Sequence, residues 1–151
     1  MMTDEQIKQY HDTVDENIRK HGYHSTFVFS DKSPSFCYST GIFKTFKIPE
    51  IFISALPQNL SHGLIENYVD KLKAATSIPL YTKIDDLTER FPVYLIEVPT
   101  EKLIDYVLSS IRFYENSEYK YLQLVYPDVK GHFPNEEGYD YDQLIMGQFK
   151  D

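Results

Sequence analysis

Hydrophobic side chains recur at intervals of three or four residues near the start of the chain, which is the spacing of one helix face. The positions that share this face are Ile7, Tyr10 or His11, Val14 and Ile18. Thr3 and Gln6 have the spacing of a capping box, and Gly22 can adopt the left-handed conformation that ends a helix. We therefore predict an amphipathic helix from about Asp4 to His21.

The central stretch from Ser35 to Pro57 contains two runs with the alternation of strands, Phe36–Phe43 and Ile51–Leu56. A short strand at Thr26–Phe29 and a turn at Asp31–Pro34 are predicted before them. One face of the first run carries small, mildly polar side chains, so we expect either a closely packed helix or a cavity there. That face consists of Cys37, Ser39, Gly41 and Phe43.

The second half of the chain alternates helical and strand patterns. The predicted elements are a helix from Asn59 or Ser61 to about Ala75, strands at Pro79–Ile84 and Pro92–Val98, a helix from Thr100 to about Asn116, and a strand at Tyr121–Tyr126. Short loops between the first three strands favour antiparallel neighbours. We predict an α+β fold with a mainly antiparallel or mixed sheet of about six strands and three helices packed on it.

A chain of 151 residues is expected to form a single domain, here residues 1–151. Residues 127–151 show little regular pattern and are rich in proline, glycine and acidic side chains. Phe133, Tyr139 and Tyr141 provide aromatic anchors within this tail. We therefore expect the irregular tail to lie on the body of the domain.

The charge balance narrows the class of partner. The sequence has 15 basic and 23 acidic residues, a net charge of −8, which repels a phosphate backbone and argues against nucleic acid as a partner. The 13 tyrosines combine apolar rings with polar tips, which suits half-exposed binding surfaces. We expect the partner to be another protein, with a basic one electrostatically favoured, and the oligomeric state stays open.

Cysteine use and the N-terminal pattern favour a cytoplasmic protein. Cys37 is the only cysteine, so no disulfide can form within the chain. Met1–Lys20 is polar and acidic, and no apolar run approaches the ~20 residues of a membrane helix, so we expect no membrane partner. The six glycines are scattered without a phosphate-binding loop, and we expect no cofactor. His21 and His24 have no supporting cluster, so no metal site is predicted.

Four segments in order resemble a bacterial family of uncharacterised proteins, domain-of-unknown-function family 4262. They are His21-Gly22-Tyr23, then Tyr38-Ser39-Thr40-Gly41-Ile42 with Phe46, Pro49-Glu50-Ile51 and Leu56-Pro57, then Leu122–Asp128 with Gly131-His132-Phe133-Pro134 and Gly138, and finally Gln143–Gly147. The chain departs from the family at Lys47-Ile48, where members often have Gly-His, and at Asn135, where an aromatic residue is frequent. The resemblance implies no activity. A fainter likeness to suppressor-of-fused-like domains implies a binding module, in some cases an immunity protein.

Seven polar residues form a candidate pocket if the fold brings them together: His21, Tyr38, Ser39, Glu50, Gln123, Asp128 and His132. Asp128 could orient His132 as a general base, and a buried Glu50 beside tyrosine and histidine would have a shifted pKa. The structural alternatives are a Pro-Asp turn for Asp128 and an ion pair for Glu50. Cys37 is a candidate nucleophile only if a histidine lies beside it, and otherwise a buried small residue.

The tail also holds a run of acidic residues without a basic neighbour, between Asn135 and Asp142. Its carboxylates belong to Glu136, Glu137, Asp140 and Asp142. We predict that these four residues bind the partner, and the alternative is a solvated charged loop.

Three hypotheses about function follow from these patterns. The leading one is a small cytoplasmic binding protein without catalysis, an immunity-type or regulatory partner of another protein. The second is a small hydrolase-like enzyme that works in the candidate pocket. The third is a domain in which the recurring residues only specify the fold.

Overall fold

A computed structural model describes residues 2–31 and 34–149. Its elements are α1 (Asp4–His21), β1 (His24–Val28), β2 (Phe36–Thr40), α2 (Ile42–Phe46), β3 (Glu50–Ser54), α3 (Gln58–Leu72), β4 (Tyr94–Val98), a 3-10 helix (Thr100–Leu103), α4 (Leu108–Tyr114) and β5 (Tyr121–Val125). The predicted turn at Asp31–Pro34 includes Lys32 and Ser33, which lie outside the described residues.

The strands form one mixed sheet with the order β1-β2-β3-β5-β4. β1, β2 and β3 are antiparallel neighbours, as their short connections predict, and β4 is antiparallel to β5. β3 and β5 are parallel, with Glu50 opposite Tyr121 and Phe52 opposite Gln123. The first residues of β3 and β5 therefore lie at the same end of the sheet as the last residues of β4.

The two faces of the sheet are covered by different parts of the chain. α3 covers the first face, where its buried residues Leu64, Ile65 and Tyr68 join the core with Cys37 and Leu124. On the second face, α1 and α4 cover the β1–β2 side. The C-terminal segment covers the β3–β5–β4 side of that face through contacts to Ser54 and Gln123.

The predicted first helix is confirmed, including its ends. Thr3 Oγ1 accepts a hydrogen bond from the backbone N–H of Gln6 at 3.1 Å, and Gln6 Oε1 accepts one from the N–H of Thr3 at 2.8 Å. Gly22 has a φ of 92°, in the left-handed region that favours glycine. The local sequence therefore fixes both the start and the end of α1.

The strand predicted from Phe36 to Phe43 ends earlier, at Thr40. Gly41 takes a φ of 105°, and the chain then turns into the short helix α2. A Cβ at Gly41 would lie 3.0 Å from the carbonyl oxygen of Gly22, so the end of α1 packs closely against this turn. Of the two alternatives predicted for the small residues of this run, a closely packed helix or a cavity, the structure has the closely packed helix at Gly41, which is α1.

The α+β fold class is confirmed, but the number and ends of the elements differ from the prediction. The described residues contain five strands and four α-helices. Pro79–Ile84 is not a strand. Ile84 forms an isolated bridge with Val93, and the N–H of Tyr81 donates to the carbonyl of Leu95 at 3.0 Å, but Tyr81 has a φ of 58°, outside the strand region. The helix predicted from Thr100 to Asn116 is divided into the 3-10 helix and α4. The backbone leaves the helical region at Val107, and the N–H of Ser109 then donates to the hydroxyl of Tyr38 at 3.0 Å.

Candidate functional site

Glu50 lies at the centre of a cluster of hydrogen-bond donors, which we call the Glu50 cluster. Its carboxylate is fully buried, and Ser39 Oγ donates to Oε1 at 2.6 Å. The hydroxyl of Tyr114 donates to Oε2. Three backbone N–H groups at the start of α2 complete the set, those of Gly41 at 2.9 Å, Ile42 at 3.2 Å and Phe43 at 3.0 Å. One carboxylate therefore joins β2, β3, α2 and α4.

Burial raises the pKa of Glu50, and the hydrogen bonds from Ser39, Tyr114 and the backbone act in the opposite direction. Burial and the nearby Glu50 carboxylate also raise the pKa of Tyr114. Both oxygens of Glu50 accept from groups that belong to the fold, and neither is open to solvent. This arrangement suits a structural anchor better than a catalytic base, which must reach a substrate proton.

Asp128 forms a second carboxylate centre after the end of β5. It accepts backbone N–H bonds from Lys130 at 3.0 Å, His132 at 2.9 Å and Asp140 at 2.9 Å. Burial opposes ionisation of Asp128, but these N–H bonds outweigh it and lower the pKa. His132 Nδ1 lies 3.5 Å from Asp128 Oδ2, while the imidazole packs beside Gly138. Asp128 thus fixes the shape of the loop from residue 128 to residue 140.

The remaining candidate residues have other partners. The hydroxyl of Tyr38 accepts from the N–H of Ser109, and His21 is the exposed last residue of α1. Gln123 donates from Nε2 to the carbonyl of Leu144 at 2.7 Å. These contacts tie Tyr38 to α4 and Gln123 to the C-terminal segment.

The structure brings together Ser39 with Glu50, and Asp128 with His132. Within residues 2–31 and 34–149, no hydrogen bond or ion pair joins these two pairs. Glu50 pairs with the first residue of β5, whereas Asp128 follows the end of that strand. The length of a five-residue strand, roughly 13 Å, therefore separates the backbone of Glu50 from that of Asp128 along the sheet.

A further contact between Ser25, Cys37 and His62 was not foreseen from the sequence. Ser25 Oγ lies 2.5 Å from His62 Nδ1, and Cys37 Sγ lies 3.7 Å from the same nitrogen. Burial lowers the pKa of His62 and raises that of Cys37 to about 12. Cys37 therefore has a histidine neighbour but stays a protonated thiol, which makes it a poor nucleophile.

His62 lies on α3, and its place in a helical pattern alone would predict a surface residue. No local pattern relates it to β1, since 37 positions separate it from Ser25. Only the packing of α3 across the edge of the sheet brings the two residues together.

An open cavity of about 740 Å³ lies at the end of the sheet where β4 ends and β5 begins. Its lining mixes apolar and aromatic side chains with polar ones and with charges of both signs. Residues that line it include Pro49, Val98, Lys102, Tyr119, Lys120 and Leu122. It contains none of the seven residues of the candidate pocket.

The four predicted partner-binding residues, Glu136, Glu137, Asp140 and Asp142, are all exposed. Within the described part of the chain, none of them forms an ion pair. The backbone of this acidic segment, residues 136–142, is nevertheless held in place. Asp128 binds the N–H of Asp140, and the hydroxyl of Tyr141 donates to the carbonyl of Ala55 at 2.7 Å.

Two general features of the described residues bear on the kind of site. None of their helices has the length and hydrophobicity needed to cross a bilayer. They also contain no group of three or more histidine, cysteine, aspartate or glutamate side chains arranged to hold a metal ion.

Comparison with known proteins gives a family but no activity. No curated protein matches the sequence, and no solved structure matches the fold. The likeness to suppressor-of-fused-like domains stays a prediction. A protein-family profile described as "Domain of unknown function (DUF4262)" matches residues 17–140, which is most of the chain. The chain therefore belongs to the family of proteins with this domain of unknown function, DUF4262.

Proposed function

We propose that the protein binds another protein, and that the acidic segment meets a basic surface of that partner. The observation that carries this proposal is the contrast between a fixed backbone and exposed charge in residues 136–142, where Glu136 also accepts the N–H of Phe133 at 2.7 Å. The four carboxylates are exposed and lack ion-pair partners among the described residues. Their backbone is held by Asp128 and by the bond from Tyr141 to Ala55.

A fixed arrangement of charges favours recognition in two ways. The carboxylates lose less conformational freedom on binding than they would on a flexible loop, which lowers the cost of association. Several like charges on one side of the molecule also attract a basic partner over a distance of about one Debye length, roughly 8 Å at physiological salt. A regulatory or immunity-type role is the form of binding that we propose.

The hydrolase alternative has less support. Glu50 has no exposed oxygen, the carboxylate of Asp128 binds three backbone N–H groups, and His21 lies at an exposed helix end. A hydrolase needs its base, its orienting group and its substrate within hydrogen-bond reach. The geometry of these residues supports binding better than hydrolysis.

The proposal is tested by capture from a lysate of the native host with three immobilised proteins. These are the wild type, an acidic-segment variant (E136Q/E137Q/D140N/D142N) and a control variant (E89Q/E101Q/D105N/E118Q). The control removes the same number of exposed carboxylates elsewhere, so the net charge of the two variants is equal. We expect a basic protein to be retained by the wild type and the control and lost by the acidic-segment variant.

The association rates of the captured protein with the wild type and the two variants then show whether its recognition depends on charge. We expect neutralisation of the acidic segment to slow association about tenfold at low salt, with a smaller difference at high salt because the charges are screened. Equal capture by all three proteins, or an equal loss by both variants, would refute the role of the acidic segment.

A further inference from the structure

The last part of the described chain, residues 143–149, is bound to the sheet mainly through its own backbone; we call it the C-terminal strap. Ser54 Oγ accepts from the N–H of Leu144 at 2.8 Å and donates to its carbonyl at 3.0 Å. Gln123 donates to the same carbonyl at 2.7 Å and accepts from the N–H of Met146 at 2.8 Å. Two side chains of the sheet thus recognise an extended backbone.

This attachment differs from the pairing of a sixth strand. Among the described residues, no backbone-to-backbone hydrogen bond joins the strap to a strand. The side chain of Gln143 adds a further anchor, because its amide pairs with the N–H and carbonyl of Tyr126 at 3.2 and 2.8 Å. The strap can therefore leave the sheet without breaking the strand ladder.

The surface below the strap combines apolar side chains with the polar groups of Gln123 and Ser54, which the strap backbone satisfies. Gln123 is fully buried in an otherwise apolar and aromatic strand, and a buried amide without partners is costly. Ile96 and Val125 pack against Ile145 of the strap in the same region. Any segment that covers this groove must therefore supply backbone partners for the amide of Gln123, as the strap does.

We propose that this groove is a peptide-binding site that the strap keeps occupied, and that it takes an extended segment of a partner protein. The contacts define the chemistry of that segment. It presents a free backbone N–H and C=O at the position of Leu144 and a free N–H at that of Met146. It also carries apolar side chains at the positions of Ile145, Met146 and Phe149. Affinity would come from the main chain and specificity from the apolar side chains.

The position of Gly147 adds a restriction on the partner. A Cβ at this residue would lie 2.5 Å from the carbonyl oxygen of Glu97, a distance that real Cβ atoms do not show. The partner segment therefore has a glycine there. The same restriction offers a way to release the strap without altering the groove.

The strap itself is the main competitor of any partner. A tethered segment has an effective concentration on the order of millimolar, so a peptide in solution binds the wild type poorly. We therefore use a release variant, M146P/G147A, which removes the N–H that Gln123 accepts and adds the clashing Cβ. G147A alone is a milder second variant. The control is G63A, because a Cβ at Gly63 meets no atom within 4 Å.

The probe is a fluorescent peptide with the sequence of residues 141–149, titrated with each full-length protein. Hydrogen exchange of the amide of Leu144 reports in parallel whether the strap is released. We expect the release variant to bind the peptide roughly tenfold or more tightly than the wild type and G63A do. Addition of Gln123→Ala to the release variant, or proline at the Met146 position of the peptide, should remove binding.

The proposal is overturned if the Leu144 amide exchanges freely in a folded release variant or in G147A while the peptide still does not bind. Binding that survives Gln123→Ala would also overturn it, because the recognition would then lie elsewhere. This proposal is independent of the acidic segment, since none of the contacts to Ser54 or Gln123 uses residues 136–142. Loss of charge-dependent capture would leave it standing.

Discussion

The Glu50 cluster and the acidic segment use the same chemical group for different purposes. In the Glu50 cluster, one fully buried carboxylate accepts from two hydroxyls and three backbone N–H groups. In the acidic segment, four exposed carboxylates have no ion-pair partner among the described residues. The difference indicates that the first carboxylate is committed to folding, while the other four present exposed charge. Among them, Glu136 also accepts the N–H of Phe133 at 2.7 Å.

The largest expected effect is that of Glu50→Gln. The amide removes one acceptor oxygen and points N–H groups at the existing donors, which leaves buried polar groups without partners. We expect a loss of about 3 kcal/mol in the free energy of unfolding, measured by urea denaturation at about pH 4.5, where the contribution of Glu50 is largest. Glu66→Gln, at an exposed position of α3, is the control and should change stability by less than about 0.5 kcal/mol.

The effect of Glu50→Gln should also depend on pH. Because burial raises the pKa of Glu50 above the ordinary value of 4.5, the folded protein binds this proton more tightly than the unfolded chain. The contribution of Glu50 to stability is therefore largest below about pH 4.5 and falls as the pH rises through the pKa of Glu50 in the folded state. The difference between wild type and Glu50→Gln should shrink over that range. A difference that grows with pH would mean that the hydrogen bonds outweigh burial.

A smaller effect is expected for Asp128→Asn, which weakens the acceptor of three backbone N–H groups. We expect a loss of about 2 kcal/mol at neutral pH. The pKa of Asp128 is lowered below 3.8 in the folded protein. Its contribution to the free energy of unfolding is therefore present above pH 3.8 and is lost as the pH falls through the pKa of the folded state. Unfolding measured at acid and neutral pH tests this, with Asp105→Asn as the exposed control. Equal losses at both pH values would contradict the assignment.

The next effect in size is that of Tyr114→Phe, which removes one donor of the Glu50 cluster and keeps the ring. The ring of Tyr114 stacks on that of Tyr119 at a centroid distance of 4.9 Å. We expect a loss of about 1 kcal/mol, whereas Tyr119→Phe, in the same stack, should have almost no effect on thermal unfolding. If the two substitutions are equivalent, the hydroxyl of Tyr114 does not support Glu50.

Most of the fold could be predicted from the sequence where the signal is local. The capping box at Thr3 and Gly22 mark the ends of α1, and the alternation of small and large residues marks β2 and β3. The break between the 3-10 helix and α4 could not be predicted, because it depends on the hydroxyl of Tyr38, which is 71 positions away from Ser109.

In the candidate site, too, some contacts follow from local sequence and others arise only from the tertiary fold. Ser39 and Glu50 were selected from the sequence and lie in contact, since their strands are antiparallel neighbours connected by the short segment that contains α2. The position of Asp128 relative to Glu50 follows from the parallel pairing of β3 with β5, which no short-range pattern encodes. The role of Gln123 was hidden for a similar reason, because its partners belong to the C-terminal strap.

The most direct test is a side-by-side urea unfolding measurement of Glu50→Gln and the acidic-segment variant. We predict a clearly lower unfolding midpoint for Glu50→Gln. For the acidic-segment variant we predict a midpoint within the error of wild type or slightly higher, because repulsion between its carboxylates is removed. The opposite pattern, with an unchanged Glu50→Gln protein and a destabilised acidic-segment variant, would contradict the assignment of Glu50 to folding and of the acidic segment to binding.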